Sequence, residues 1–116
     1  MNSTDSQFLI QSQYLTEYDY FHEDTTQTYQ VYASIIIPVY NQEKNIPYLL
    51  ERIKETLAAT IQTYEVIVVN DGSYDNTLSV LINQHKLNPH LRVFSYAENR
   101  GKGFAVKMGV SKLEVQ

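Results

Sequence analysis

The sequence predicts an α/β fold of three layers, a parallel sheet with helices on both faces. Three observations carry that expectation. Two apolar, mostly β-branched runs, Ser34–Val39 and Glu65–Val69, each break abruptly into a polar or turn-forming loop, as strands buried on both faces do. The segments after them repeat apolar residues at three- and four-residue steps, the period of a helix face. A third unit, Leu91–Tyr96 followed by the glycine-rich basic loop Glu98–Gly103, completes a strand–helix alternation. Right-handed crossovers turn such an alternation into parallel pairing.

Ser34–Val39 (SIIIPV) is the first strand of this unit, with Pro38 near its end, where a missing N–H disturbs the ladder least. After Asn41, the residues Ile46, Leu49, Leu50, Ile53, Leu57 and Ile61 mark a helix face. Asn45 is placed to cap that helix, and Pro47 falls in its first turn. Glu65–Val69 is the second strand, broken by Asn70-Asp71-Gly72-Ser73. Leu78, Leu81 and Ile82 share a face of the second helix, which Ser73 or Asp75 is able to cap and Asn88-Pro89 ends. Leu91–Tyr96 alternates more loosely, with Leu91, Val93 and Ser95 expected inward. Gly103–Lys112 reads as the third helix, its apolar face made of Phe104, Ala105 and Met108.

The expected spatial order is third, second, first strand, with the first in the interior of a larger sheet. Nothing in the sequence supplies a strand for its other side. An open apolar edge invites pairing, so the reading expects either a fragment or self-association through that edge.

Composition narrows the function classes. With 116 residues and 43% hydrophobic content the chain holds one domain at most, with a small core. It has no cysteine, so disulfides and thiolate metal sites are excluded. His22, His85 and His90 lack metal-ligand spacing and read as exposed or incidental. No apolar run nears the roughly 18 residues a membrane span needs, and no signal pattern opens the chain, so the expectation is cytoplasmic. The net charge of −4 is uneven. Residues 1–33 form an acidic, Tyr-rich leader arm with Asp5, Glu17, Asp19, Glu23 and Asp24 and no Lys or Arg. Its aromatics (Tyr14, Tyr18, Tyr20, Phe21, Tyr29 and Tyr32) suit an arm that docks on the domain or a partner as well as they suit disorder. Residues 34–116, the partial domain, carry nine basic and eight acidic side chains, and no basic face points to nucleic acid.

Ligands of open parallel sheets bind outside the carboxyl ends of the strands. Pro38-Val39-Tyr40-Asn41 and Asn70-Asp71-Gly72-Ser73 fall at two such ends. Tyr40 is suited to lie against a base, and Asp71 to accept a hydrogen bond from a base imino N–H. Turn chemistry alone also accounts for Asn70–Ser73. Glu43 reaches the same rim or is simply solvated. In Asn99-Arg100-Gly101-Lys102-Gly103, glycines allow close approach while Arg100 and Lys102 bring charge, as a diphosphate-facing loop requires. The loop lacks the dinucleotide fingerprint and the Walker ending, which argues against a dehydrogenase-like domain.

In order and spacing, SIIIPVYNQEKNI, EVIVVNDGSYDNT and ENRGKGFAVKMGV resemble the N-terminal nucleotide-binding half of family 2 glycosyltransferases. Asn-Arg-Gly-Lys-Gly-x-Ala-Val is most similar to the branch acting on dolichyl or other polyprenyl phosphates. The resemblance spans roughly residues 33–110. It implies a partial GT-A fold, Rossmann-like in its nucleotide-binding half, that takes a nucleotide sugar such as UDP-glucose or GDP-mannose. It also implies Mg²⁺ or Mn²⁺ on the diphosphate. By the same resemblance Pro38, Tyr40, Glu43 and Asp71 line the base and ribose pocket, and Arg100, Gly101 and Lys102 lie near the ribose or phosphates.

The family continues into a strand ending in an Asp-x-Asp-type metal motif, a catalytic carboxylate and acceptor-binding elements. This sequence runs from Val110 to Gln116 without paired acids, so the chain alone is expected to be inactive. Two readings stand. One is a truncated glycosyltransferase that passes a hexose to a lipid phosphate. The other is a non-catalytic nucleotide-binding or partner-binding module built from the same half.

Overall fold

The computed structural model describes residues 33–58 and 63–113, together with the backbone of residues 7–11 and 18–22. Tyr14, Tyr29, Tyr32 and Ile61, which the sequence reading used, lie outside the described residues, as does the His22 side chain.

In chain order the elements are β1 (Gln7–Gln11), β2 (Tyr18–His22), β3 (Ala33–Val39), α1 (Ile46–Ala58), β4 (Tyr64–Asp71), α2 (Thr77–Leu87), β5 (Leu91–Tyr96) and α3 (Lys102–Ser111). They form one sheet of order β1-β2-β5-β4-β3. β3, β4 and β5 are parallel, with Ile36 opposite Ile67 and Val68 opposite Val93. The three predicted strands therefore pair in the expected order.

The leader supplies what its composition concealed. β1 and β2 pair antiparallel with each other, and β2 pairs antiparallel with β5, Asp19 opposite Phe94. The leader thus extends the sheet at the edge away from β3. Among the described residues β3 remains an edge strand rather than an interior one.

Both faces of the parallel strands are covered. Val66, Val68, Leu91 and Val93 pack under Ile46 and Leu50 of α1 and Leu81 of α2. Ile67, Val69, Phe94 and Tyr96 pack under Ala105 of α3. The loose alternation of β5 has this cause, since a strand covered on both sides needs apolar residues at odd and even positions alike. Ser95 is buried as well and accepts a hydrogen bond from Asn70 Nδ2 at 3.1 Å. α3 lies close on the sheet because Gly109 carries no side chain. A Cβ there would press into the Ile36 side chain at under 3.0 Å.

His85 and His90 depart from the expectation of exposed or incidental residues. His85 is fully buried, its Nδ1 2.8 Å from the Leu91 carbonyl oxygen. His90 stacks on Tyr64 with ring centroids 4.1 Å apart, its Nδ1 2.9 Å from the Tyr64 carbonyl oxygen. They fasten the amino ends of β5 and β4, at the end of the strands opposite the glycine-rich loop.

Candidate functional site

At the carboxyl ends of β3 and β4 the backbone leaves the sheet in two loops that are sewn together. The Asn41 amide donates to Ser73 Oγ at 2.8 Å, and the Tyr74 amide donates to Asn41 Oδ1 at 3.0 Å. The Gln42 amide donates to Thr77 Oγ1 at 2.8 Å, and the Asn76 amide donates to Glu43 Oε1 at 3.1 Å. Asn41 has φ of 53°, in the left-handed region that asparagine tolerates better than most side chains. Ser73 is therefore engaged by the neighbouring loop rather than by α2. Asp75 serves α2 instead, its carboxylate accepting from the amide and hydroxyl of Thr77. Desolvation, the largest single influence, pushes the Asp75 carboxyl up, but the hydrogen bonds from Thr77 and from the backbone of Glu43 and Asp75 together hold the group below its ordinary value of 3.8.

Asp71, the last residue of β4, is 4% exposed and anchors the third loop. Its Oδ1 accepts from the Tyr96 hydroxyl at 2.7 Å and from the Arg100 amide at 2.8 Å. Its Oδ2 accepts from Asn99 Nδ2 and from the Gly101 amide, both at 3.0 Å. Asn99 Nδ2 also reaches the Asp71 carbonyl oxygen at 3.0 Å. The sequence reading gave this carboxylate to a base imino N–H. In the fold its acceptor positions are met by donors of the chain itself, and it acts as the post on which residues 98–101 hang.

Gly72 makes that approach possible. Its φ is +66°, and a Cβ at this position would fall within 3.0 Å of the Asn99 backbone.

Between these loops opens a cleft of about 430 Å³ at the strand ends. Pro38, Tyr40, Asp71, Gly101 and Lys102 line it, so five of the seven residues singled out from the sequence come together there. Tyr40 is 42% exposed, and its ring meets that of Tyr74 edge-on at 6.1 Å. Glu43 and Arg100 do not line the cleft. Glu43 holds the start of α2 as described, while the Arg100 guanidinium lies 5.2 Å over the Phe104 ring and 3.4 Å from Glu98 Oε1. Gln42, Asn45 and Asn99 also line the cleft and were not foreseen. Asn99 was legible as part of the basic loop, but its amide's reach to Asp71 was not.

Among the described residues no group of three or more His, Asp or Glu side chains is placed to hold a metal ion. Asp71 does not change this, because its oxygens are already occupied. The residues present therefore do not fit a divalent cation. No helix among the described residues is long and apolar enough to cross a membrane.

The sequence pattern of Glycosyl transferase family 2 matches residues 34–114. Dolichyl-phosphate beta-glucosyltransferase of Drosophila melanogaster is 44% identical over 84 residues, which is 66% of this chain and 26% of that protein. An uncharacterized glycosyltransferase of Synechocystis is 42% identical over 77 residues, 66% of this chain and 24% of that protein. Among solved structures, a mannosyltransferase from Pyrobaculum calidifontis, in complex with GDP-Man and Mn²⁺, superposes with a TM-score of 0.65 at 28% identity. That match covers 75% of this chain and 26% of the other. TarS of S. aureus follows with a TM-score of 0.56 at 31% identity, covering 71% of this chain and 24% of the other. The chain thus spans about a quarter of the length of the relatives it matches.

Proposed function

We propose, from the premise that this chain belongs to glycosyl transferase family 2, that residues 34–113 form the donor-nucleotide half of a hexosyltransferase. The donor in this reading is a UDP- or GDP-hexose, and the acceptor of the whole protein is a polyprenyl phosphate. The observation that carries it is the cleft at the carboxyl ends of the parallel strands, where Tyr40, Pro38 and Lys102 converge.

Each residue has a chemical task. Pro38 and Tyr40 supply the apolar wall and π-face against which a base stacks. Lys102, in the first turn of α3, brings a positive charge to the side where the helix amides favour an anion, and so faces the diphosphate. Asp71 and Gly101 hold the loop between the two. Glu43 belongs to this site through the loop it fastens, and Arg100 through its place beside Gly101. The Pyrobaculum calidifontis mannosyltransferase was solved with GDP-Man and Mn²⁺, and a divalent metal in this family's site would neutralise diphosphate charge. The residues described here do not fit that ion, and no step of transfer is assigned to them.

Calorimetric titration with UDP and GDP tests the reading. One of the two is expected to bind, and Tyr40→Ala to weaken it about tenfold, the loss of one stacking contact. Because Tyr40 is partly exposed, the variant should unfold within about 0.5 kcal/mol of the parent. Failure of both nucleotides to bind at millimolar concentration would sink the assignment.

One observation favours a second reading, a module that associates through its sheet. β3 offers seven residues with no partner strand on their outer side among the described residues. In that case sedimentation shows a discrete oligomer of this chain. A monomer at all concentrations removes it.

A further inference from the structure

We propose that Tyr96 is a positioning residue of the donor site, acting through the Asp71 carboxylate on the loop that carries Lys102. The inference rests on the donor-nucleotide reading above and deepens it. A carboxylate offers about four in-plane acceptor positions. At Asp71 four donors meet them: the Tyr96 hydroxyl and Arg100 amide on Oδ1, and the Asn99 side chain and Gly101 amide on Oδ2. Three of these donors belong to the loop itself. Tyr96 is the donor that comes from the sheet, so it ties the orientation of the carboxylate to β5, and the loop follows the carboxylate.

The aim of that hydroxyl is fixed by its surroundings. Tyr96 is 4% exposed, with its ring edge-on to Phe94 at 6.0 Å and to Phe104 of α3 at 5.4 Å. Removing the oxygen alone leaves this aromatic packing in place. It also leaves Oδ1 with the Arg100 amide as its remaining partner among the four, so the three bonds that still hold the carboxyl all come from the loop and none ties its last torsion to β5. Gly101, held by Oδ2, directly precedes Lys102 in the chain. The phosphate side of the cleft therefore loosens, while the wall made by Pro38 and Tyr40 on the β3 side does not.

Tyr96→Phe in the full chain separates this role from mere packing. UDP and UMP, or GDP and GMP where the guanine nucleotide binds, are titrated against parent and variant. The diphosphate is expected to lose about tenfold in affinity, the scale of one charge-assisted hydrogen bond. The monophosphate, held more by the base wall, is expected to lose less than about threefold. Equal losses for both would make Tyr96 a packing residue and overturn the proposal.

Amide hydrogen exchange supplies the independent readout. Exchange at Arg100 and Gly101 is expected to quicken about tenfold in the variant, with Val68 at the sheet centre unchanged as the control for folding. Unchanged exchange at Arg100 and Gly101 refutes the attachment whether or not nucleotide binds. Quickened exchange in the variant, together with a parent chain that binds no nucleotide, instead removes the donor reading, and the positioning role with it.

Discussion

Replacing Asp71 by asparagine is expected to lower the unfolding free energy by about 3 kcal/mol and to abolish binding at the cleft. The carboxylate accepts four hydrogen bonds at 2.7 to 3.0 Å while 4% exposed. Hydrogen bonds to charged groups contribute about 1.5–3 kcal/mol each, and a buried donor left without a partner costs about 1–3 kcal/mol. Asparagine keeps one oxygen, which still serves Tyr96 and the Arg100 amide. Its NH₂ then faces the Gly101 amide and Asn99 Nδ2, so donors oppose donors. Two bonds are lost outright and two lose their charge, which supports the lower end of the summed range because the loop can relax toward water. Urea unfolding followed by circular dichroism checks this. A midpoint equal to that of the parent would show that the four bonds are not what holds the loop.

Gly72→Ala is expected to be of similar size through backbone geometry rather than charge. At φ of +66° a side chain costs about 1–2 kcal/mol from the left-handed conformation alone. The new methyl would also overlap the backbone of Glu98 and Asn99, and backbone cannot step aside as a flexible side chain does. Overpacking of this kind adds about 1–3 kcal/mol. The sum is about 2–5 kcal/mol, with loop 98–101 displaced from Asp71. Gly103→Ala is the matched control. A Cβ there meets nothing within 4 Å, and its position in α3 favours alanine by about 0.5–1 kcal/mol. Thermal unfolding of the two variants should move in opposite directions. If Gly72→Ala melts with the parent, the close approach of the two loops is not a constraint on this fold.

The residues that shaped these expectations were legible to different degrees. The β-branched runs at Ile35–Ile37 and Val66–Val69 reveal strands because burial on both faces demands apolar residues at every position. Leu49, Leu50, Ile53 and Leu57 reveal α1 by their period. The leader strands β1 and β2 were not read from the sequence, since Phe8–Ile10 and Tyr18–Phe21 are short, largely apolar or aromatic runs set in a polar leader with no sustained period. They are defined instead by pairing with β5. His85 was read as incidental because a lone histidine carries no pattern; what buries it is the carbonyl of Leu91 across the α2–β5 turn.

The candidate site divides along the same line. Residue types at the strand ends were enough to single out Tyr40, Asp71, Gly101 and Lys102, because turn formers and charges there mark where a parallel sheet takes its ligand. Which of them face the cleft and which serve the scaffold could not be read that way. Asp71 finds its donors 25 to 30 residues further along the chain, and Glu43 finds the Asn76 amide 33 residues away. Spacing along a chain determines periodicity and turns, so β3, β4, β5 and the three helices followed from it. Hydrogen-bond partners across loops depend on how closely three chain segments meet. That distance is set here by the absence of a side chain at Gly72 and by the packing of α3 on the sheet.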